Sequence, residues 1–133
     1  MTNRTATCAC GQLRLTCTGE PIRISICHCL ECQKRSGSVF ATQACFDSDG
    51  VSVDGRALQW GRSGDSGGEP ATFHFCPICG STVFWEPPGA PGFVYVAVGA
   101  FADPAFPPPR VSVYGERQHP WAMAAGELPL EHI

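Results

Sequence analysis

No stretch of this sequence approaches the roughly 20 consecutive apolar residues that a bilayer-spanning helix needs, so a membrane is not an expected partner. Runs of like charge are missing too. The nine basic residues are scattered, with only Lys34 and Arg35 adjacent, and the formal net charge is −3. A nucleic-acid binder gathers its basic groups into a face that neutralises phosphates, so that class is disfavoured. The opening Met1-Thr2-Asn3-Arg4-Thr5 is polar and lacks the apolar centre of a secretory signal, which makes the cytoplasm the expected location. There is no internal repeat, no heptad and little helical periodicity.

What is present is a 133-residue chain that is 44% hydrophobic, enough for a single domain over residues 1–133 with a real core. Twelve prolines and fifteen glycines divide it into short segments of alternating or apolar character. That pattern predicts a mainly β fold with strands at Gln12–Cys17, Val39–Phe46, Val51–Asp54, Thr72–Phe75, Thr82–Trp85, Phe93–Val98 and Val111–Tyr114. In the first of these, Leu13, Leu15 and Cys17 share one face. The one helix expected is a turn or two at Leu30–Ser36, closed by Gly37 in a left-handed cap. Gly61–Pro70 reads as a flexible loop, and Glu86–Gly92 and Asp103–Arg110 as stiff turns and extended connectors.

Nine cysteines cannot all pair within one chain, and in a reducing compartment clustered cysteines are more often metal ligands or catalytic groups. Cys76-Pro77-Ile78-Cys79-Gly80 sets two sulfurs on one side of a tight turn, fit for two corners of a zinc tetrahedron. The competing thioredoxin-type redox pair normally opens a helix after a strand, whereas Phe84 and Trp85 continue an extended pattern here. Cys8 and Cys10, two apart, share a face if the chain is extended, and complete a four-cysteine structural site with Cys76 and Cys79. The alternative for Cys8 and Cys10 is burial as small hydrophobes, which is the reading taken for Cys17 and Cys45.

Cys27-His28-Cys29-Leu30-Glu31-Cys32 supplies three further thiols, one short of a closed tetrahedron. Three protein ligands leave a position for water or substrate, the mark of a catalytic zinc. His28 is a poor fourth ligand, because it sits between two ligands and should project the other way. The bland alternative is a second structural site closed from elsewhere, by Cys45 or His74; otherwise His74 is a strand histidine hydrogen-bonded in or near the core.

These motifs, in order, resemble one family. Cys8-x-Cys10-Gly11, Cys27-His28-Cys29-x-x-Cys32-Gln33-Lys34-x-Ser36-Gly37 and Phe75-Cys76-x-x-Cys79-Gly80-Ser81 are similar to the glutathione-dependent formaldehyde-activating enzymes, a family that includes the domain of centromere protein V. The likeness continues through Val98-Gly99-Ala100-Phe101, Asp103-Pro104, Val111–Tyr114, His119-Pro120-Trp121 and Leu128-Pro129. It implies a β-tent of small antiparallel sheets with two zinc ions per chain. One would be structural, on Cys8, Cys10, Cys76 and Cys79, and one catalytic, on Cys27, Cys29 and Cys32. The implied activity is a carbon–sulfur lyase reaction run in reverse, condensing glutathione or another small thiol with formaldehyde or a related aldehyde. Relatives often carry an arginine shortly before the last Phe-Cys, where this chain has Thr72-Phe73-His74.

A zinc-bound thiol loses its proton near neutral pH yet stays nucleophilic, so a substrate thiol beside Cys27, Cys29 and Cys32 would attack the aldehyde carbon. Zinc acting as a Lewis acid on the aldehyde oxygen is the alternative chemistry. Lys34 and Arg35 are candidates to hold substrate carboxylates, and His28 or Glu31 to move the proton. A non-catalytic, zinc-stabilised binding module is the rival reading.

Overall fold

Alternating apolar residues build the first sheet. In the computed structural model, which describes residues 2–122, Leu15 and Cys17 of β2 (Arg14–Thr18) are fully buried, as is Leu13 just before them. β2 lies between β1 (Asn3–Thr7) and β5 (Val51–Asp54), antiparallel to both. β1 carries no apolar signal in its sequence. Only Ala6 turns wholly inward, and the strand is held by its backbone ladder to β2.

The second sheet has seven strands in the order β10-β3-β4-β9-β8-β7-β6. These are β3 (Arg23–Cys27), β4 (Ala41–Asp47), β6 (Leu58–Gly64), β7 (Gly67–Phe75), β8 (Thr82–Glu86), β9 (Phe93–Ala97) and β10 (Val111–Val113). Neighbours are antiparallel except β10, which runs parallel to β3. The fold is mainly β, and among the described residues its one α-helix is α1 (Leu30–Ser36), closed by Gly37 at φ 68°. No helix among the described residues is long and apolar enough to cross a membrane. Leu128-Pro129 lies outside the described residues.

One face of the large sheet meets the small one. Ile24, Ala44, Phe46, Phe84, Val94 and Val96 pack with Ala6, Leu13, Leu15 and Cys17 into the main core. The other face carries a cross-strand row of paired residues, Trp60, Phe73, Trp85, Tyr95, Cys45 and Arg23. Residues paired directly across strands share a face, so the row runs along one side of the sheet. Phe73 and Trp85 are buried there and α1 lies over them through Arg35. Cys17 and Cys45 are both buried.

The expectation of a flexible loop over Gly61–Pro70 is overturned. These residues form the end of β6, a turn at Asp65-Ser66 and the start of β7, with Gly61 paired to Thr72 and Gly64 to Gly67. Composition misleads here because a strand ladder is made by backbone groups, and glycine supplies those as well as any residue. Gly67 and Gly68 sit at φ 77° and 89°, the left-handed region that glycine reaches freely after a tight turn. β3 and β6 are two further strands not expected from the pattern.

Candidate metal centres

Two knuckles of similar build bring four sulfurs together. At Cys76, the amide takes Ser81 O at 3.0 Å, Gly80 N donates to Cys76 O at 2.8 Å, and Ile78 N points at Sγ at 3.3 Å. At Cys8, the amide takes Leu13 O at 3.0 Å, Gly11 N donates to Cys8 O at 3.1 Å, and Leu13 N points at Sγ at 3.3 Å. Gly80 and Gly11 occupy matching positions at φ 79° and 84°. Cys8 and Cys10 therefore lie on a turn just past β1, not on an extended strand, and the turn is what aims both sulfurs inward. The face-sharing argument from an extended chain is corrected, though the grouping it led to is the one seen.

Spacing fits a tetrahedral ion. Cys8 Sγ is 3.6 Å from Cys10 Sγ, which is 3.7 Å from Cys76 Sγ, and all four sulfurs lie within 4.8 Å of one another. A tetrahedron with 2.3 Å Zn–S bonds has an edge of about 3.8 Å. Ser81 stabilises the charged sulfur of Cys79, by its hydroxyl 3.4 Å away and then by its amide, and that thiol is pulled down to about 5. Gln12 Nε2 donates to Cys76 Sγ at 3.0 Å and to Arg56 O at 2.7 Å. Gly55, at φ 97°, lets the backbone pass: a Cβ there would come within 2.0 Å of Gln12 O.

Cys27, Cys29 and Cys32 gather at the opposite side of the large sheet. Cys27 ends β3, Cys29 is the N-cap of α1, and Cys32 is the first inward residue of that helix. All three are buried, against Ala41, Val113 and Tyr114. Their sulfurs lie within 4.8 Å of one another, and no fourth His, Cys, Asp or Glu ligand atom among the described residues joins them. Neither Cys45 nor His74 belongs to either cluster. His74 instead stacks on Phe84 at 4.2 Å and bonds Glu86 at 2.6 Å.

The helix start that carries this cluster is tied down from far away in sequence. Asp65, at the β6–β7 turn, accepts from Leu30 N at 2.8 Å and from Glu31 N at 3.2 Å, while Cys32 N donates to Cys29 Sγ at 3.2 Å. These are the first free amides of α1, which would otherwise lack partners. Arg117 Nε closes the arrangement on Asp65 at 2.6 Å. Gln33 braces the same region, donating to His28 O at 2.9 Å and Arg117 O at 3.2 Å.

Charge around the three thiols is uneven. Cys32 is pulled down to about 5 by the hydrogen bond from Cys27, then by those from Cys29 and Arg62, against the cost of burial. Cys27, the donor of that bond and itself buried, is pushed well above the ordinary thiol range. Arg62 Nη2 lies 3.6 Å from Cys32 Sγ, and Arg35 is held below its ordinary value by burial while Cys32 opposes that shift. Lys34 points away, largely exposed and bonded to Glu31 at 3.3 Å, which also occupies the Glu31 carboxylate. The His28 ring is 3% exposed, edge-on to Phe40, and its Nδ1 has no partner among the described residues. Arg62 and Asp65 had no signal in the sequence. Both lie in a glycine-rich stretch some thirty residues from the cluster, and only the β6–β7 pairing brings them to it.

Both sets of donors suit zinc: they are unpaired thiols, correctly spaced, several with N–H groups aimed at sulfur. A scan against family models matches residues 3–117 to the model described as glutathione-dependent formaldehyde-activating enzyme. No curated protein matches the chain. Among solved structures, three chains match. One is the crystal structure of a Rhodobacter sphaeroides protein, 19% identical, with a TM-score of 0.59 over 81% of this chain and 97% of that one. At that identity the likeness is one of fold.

Proposed function

Because the chain belongs to the glutathione-dependent formaldehyde-activating enzyme family, we propose that it joins a small thiol such as glutathione to formaldehyde or a related aldehyde at Cys27, Cys29 and Cys32. The observation that carries this reading is the three-thiol cluster with no fourth ligand among the described residues. A closed structural site would need none to be missing, and the four-cysteine set elsewhere already meets that need.

Zinc held by the three sulfurs would supply acidification of an incoming thiol at neutral pH. The reaction forms one S–C bond. The sulfur lone pair attacks the carbonyl carbon, the π electrons move to oxygen, and the thiol proton ends on that oxygen to give the S-hydroxymethyl adduct. Cys27, Cys29 and Cys32 hold the reacting end, with their buried setting excluding water from it. His28, which lies between Cys27 and Cys29 in the chain and is buried with Nδ1 unpartnered among the described residues, is the candidate to carry the proton. Arg35 faces the cluster, whereas Lys34 does not, so of the two basic residues the carboxylate-holding role falls to Arg35. The chain would act as one domain over 1–133 with two zinc ions, one in each cluster.

The test is elemental analysis followed by kinetics. Protein prepared without chelator should contain close to two zinc ions per chain, and catalytic amounts should speed adduct formation from glutathione and formaldehyde, followed by NMR, beyond the spontaneous rate. Full zinc with no acceleration for glutathione or a panel of small thiols would leave the binding-module reading in its place.

A further inference from the structure

We propose that Arg35 and Arg62 form a carboxylate grip beside Cys27, Cys29 and Cys32, so that the thiol this chain selects is one bearing a carboxylate. The inference rests on the reading that a thiol enters at that cluster, and it names the class of thiol.

The two guanidiniums are assembled from different elements, Arg35 from α1 and Arg62 from β6. Arg35 Cζ lies 4.3 Å from the Trp85 ring centre and 5.0 Å from that of Phe73, and Arg62 Cζ lies 4.6 Å from that of Phe73. An aromatic floor supports a guanidinium by its face and leaves its N–H edge for a planar anion. Arg62 Nη2, at 3.6 Å from Cys32 Sγ, fixes how near the pair stands to the cluster.

Neither arginine has a carboxylate partner among the described residues. Asp65 is taken by Arg117 and the start of α1, Glu31 by Lys34, and Glu86 by His74. Six buried side-chain polar atoms lack a hydrogen-bond partner among the described residues, and three are Arg35 Nε, Arg35 Nη2 and Arg62 Nε. Buried donors are seldom left unmade, so their concentration at one place calls for an acceptor. Nε and Nη2 of one arginine are the two parallel donors that grip a carboxylate side-on.

Cobalt(II)-loaded protein makes the test independent of turnover, because an added thiol changes the thiolate-to-metal absorption of an open site. The probes are 3-mercaptopropionate, neutral 2-mercaptoethanol and cationic cysteamine, and the readout is the ratio of their affinities. Wild type should bind mercaptopropionate about tenfold or more tightly than mercaptoethanol, as expected for hydrogen bonds to a charged group, with cysteamine weakest. Arg62→Gln and Arg35→Gln should bring the ratio toward one, and Arg62→Lys should restore part of it. Retained cobalt absorption shows that each variant is folded. Equal affinities in wild type, or variants that weaken all three thiols alike, would overturn the grip, since arginines that only balance the cysteine charge act on every thiol equally. If mercaptoethanol moves the band but charge has no effect, the open site stands and the grip falls. A band that no thiol moves removes both.

Discussion

Cys17 shows how a single buried group sets a response of the whole fold. Burial pushes its thiol up to about 11, with Arg4 partly opposing. Between the ordinary thiol range and that value the folded chain keeps a proton that the unfolded chain has lost, so folding loses stability as pH rises through this window. The urea midpoint should therefore fall from pH 8 to pH 10.5, and should fall less steeply in Cys17→Ala, whatever that variant's loss at pH 8. Equal slopes would show that Cys17 does not titrate in this way. At this scale the sequence was informative. The inward Leu13, Leu15 and Cys17 follow from a two-residue period, and cysteine spacing alone divided seven thiols into the groups of four and three that the fold brings together. Arg62 was not legible, because nothing local to Gly61-Arg62-Ser63-Gly64 distinguishes it from a solvated loop charge.

At the scale of elements, α1 is too short to persist alone, since helix nucleation is unfavourable and seven residues scarcely repay it. Its start is held by Asp65, whose carboxylate is 6% exposed and serves two amides and Arg117. Asp65→Ala should cost about 1–3 kcal/mol, the range for losing a cap and a charged hydrogen bond, read as a lower urea midpoint. It should also weaken zinc at Cys27, Cys29 and Cys32 while sparing the other cluster, seen as one easily chelated ion of two. Loss of neither or of both would contradict that link. The helix bounds were readable from Leu30 to Gly37, yet the carboxylate that holds its first two amides was not, because Asp65 comes from the distant β6–β7 hairpin. Strands β1 and β6 were hidden for a related reason. An edge strand needs no apolar face when its backbone is already paired.

Across the whole molecule the two clusters do different structural work. Cys8 and Cys10 follow β1 of the small sheet, whereas Cys76 and Cys79 follow β7 of the large one, so the four-cysteine set fastens the sheets to each other. The three-cysteine set joins β3 only to the helix beside it. Cys76→Ser should therefore lower the melting temperature sharply or abolish soluble expression, since structural zinc binding is folding free energy. Cys29→Ser should remain folded with one zinc ion. Thermal melts and metal analysis of the two variants would separate these roles, and identical behaviour would argue that both sites are structural.

The β6–β7 hairpin carries Arg62 in one strand and Asp65 at its tip, and it contributes no cysteine to either cluster. Part of the surroundings of the open position, Arg62 and Asp65, is thus written in a different stretch of the gene from Cys27, Cys29 and Cys32, while Arg35 and His28 share theirs. A hairpin also tolerates change in a quantised way. Loss of one residue ahead of Arg62 would turn that side chain to the opposite face of its strand, whereas a change of two would preserve its facing. Divergence among chains built on this plan should then proceed by replacing or re-registering this one ribbon, giving new substrate preferences on an unaltered set of sulfurs.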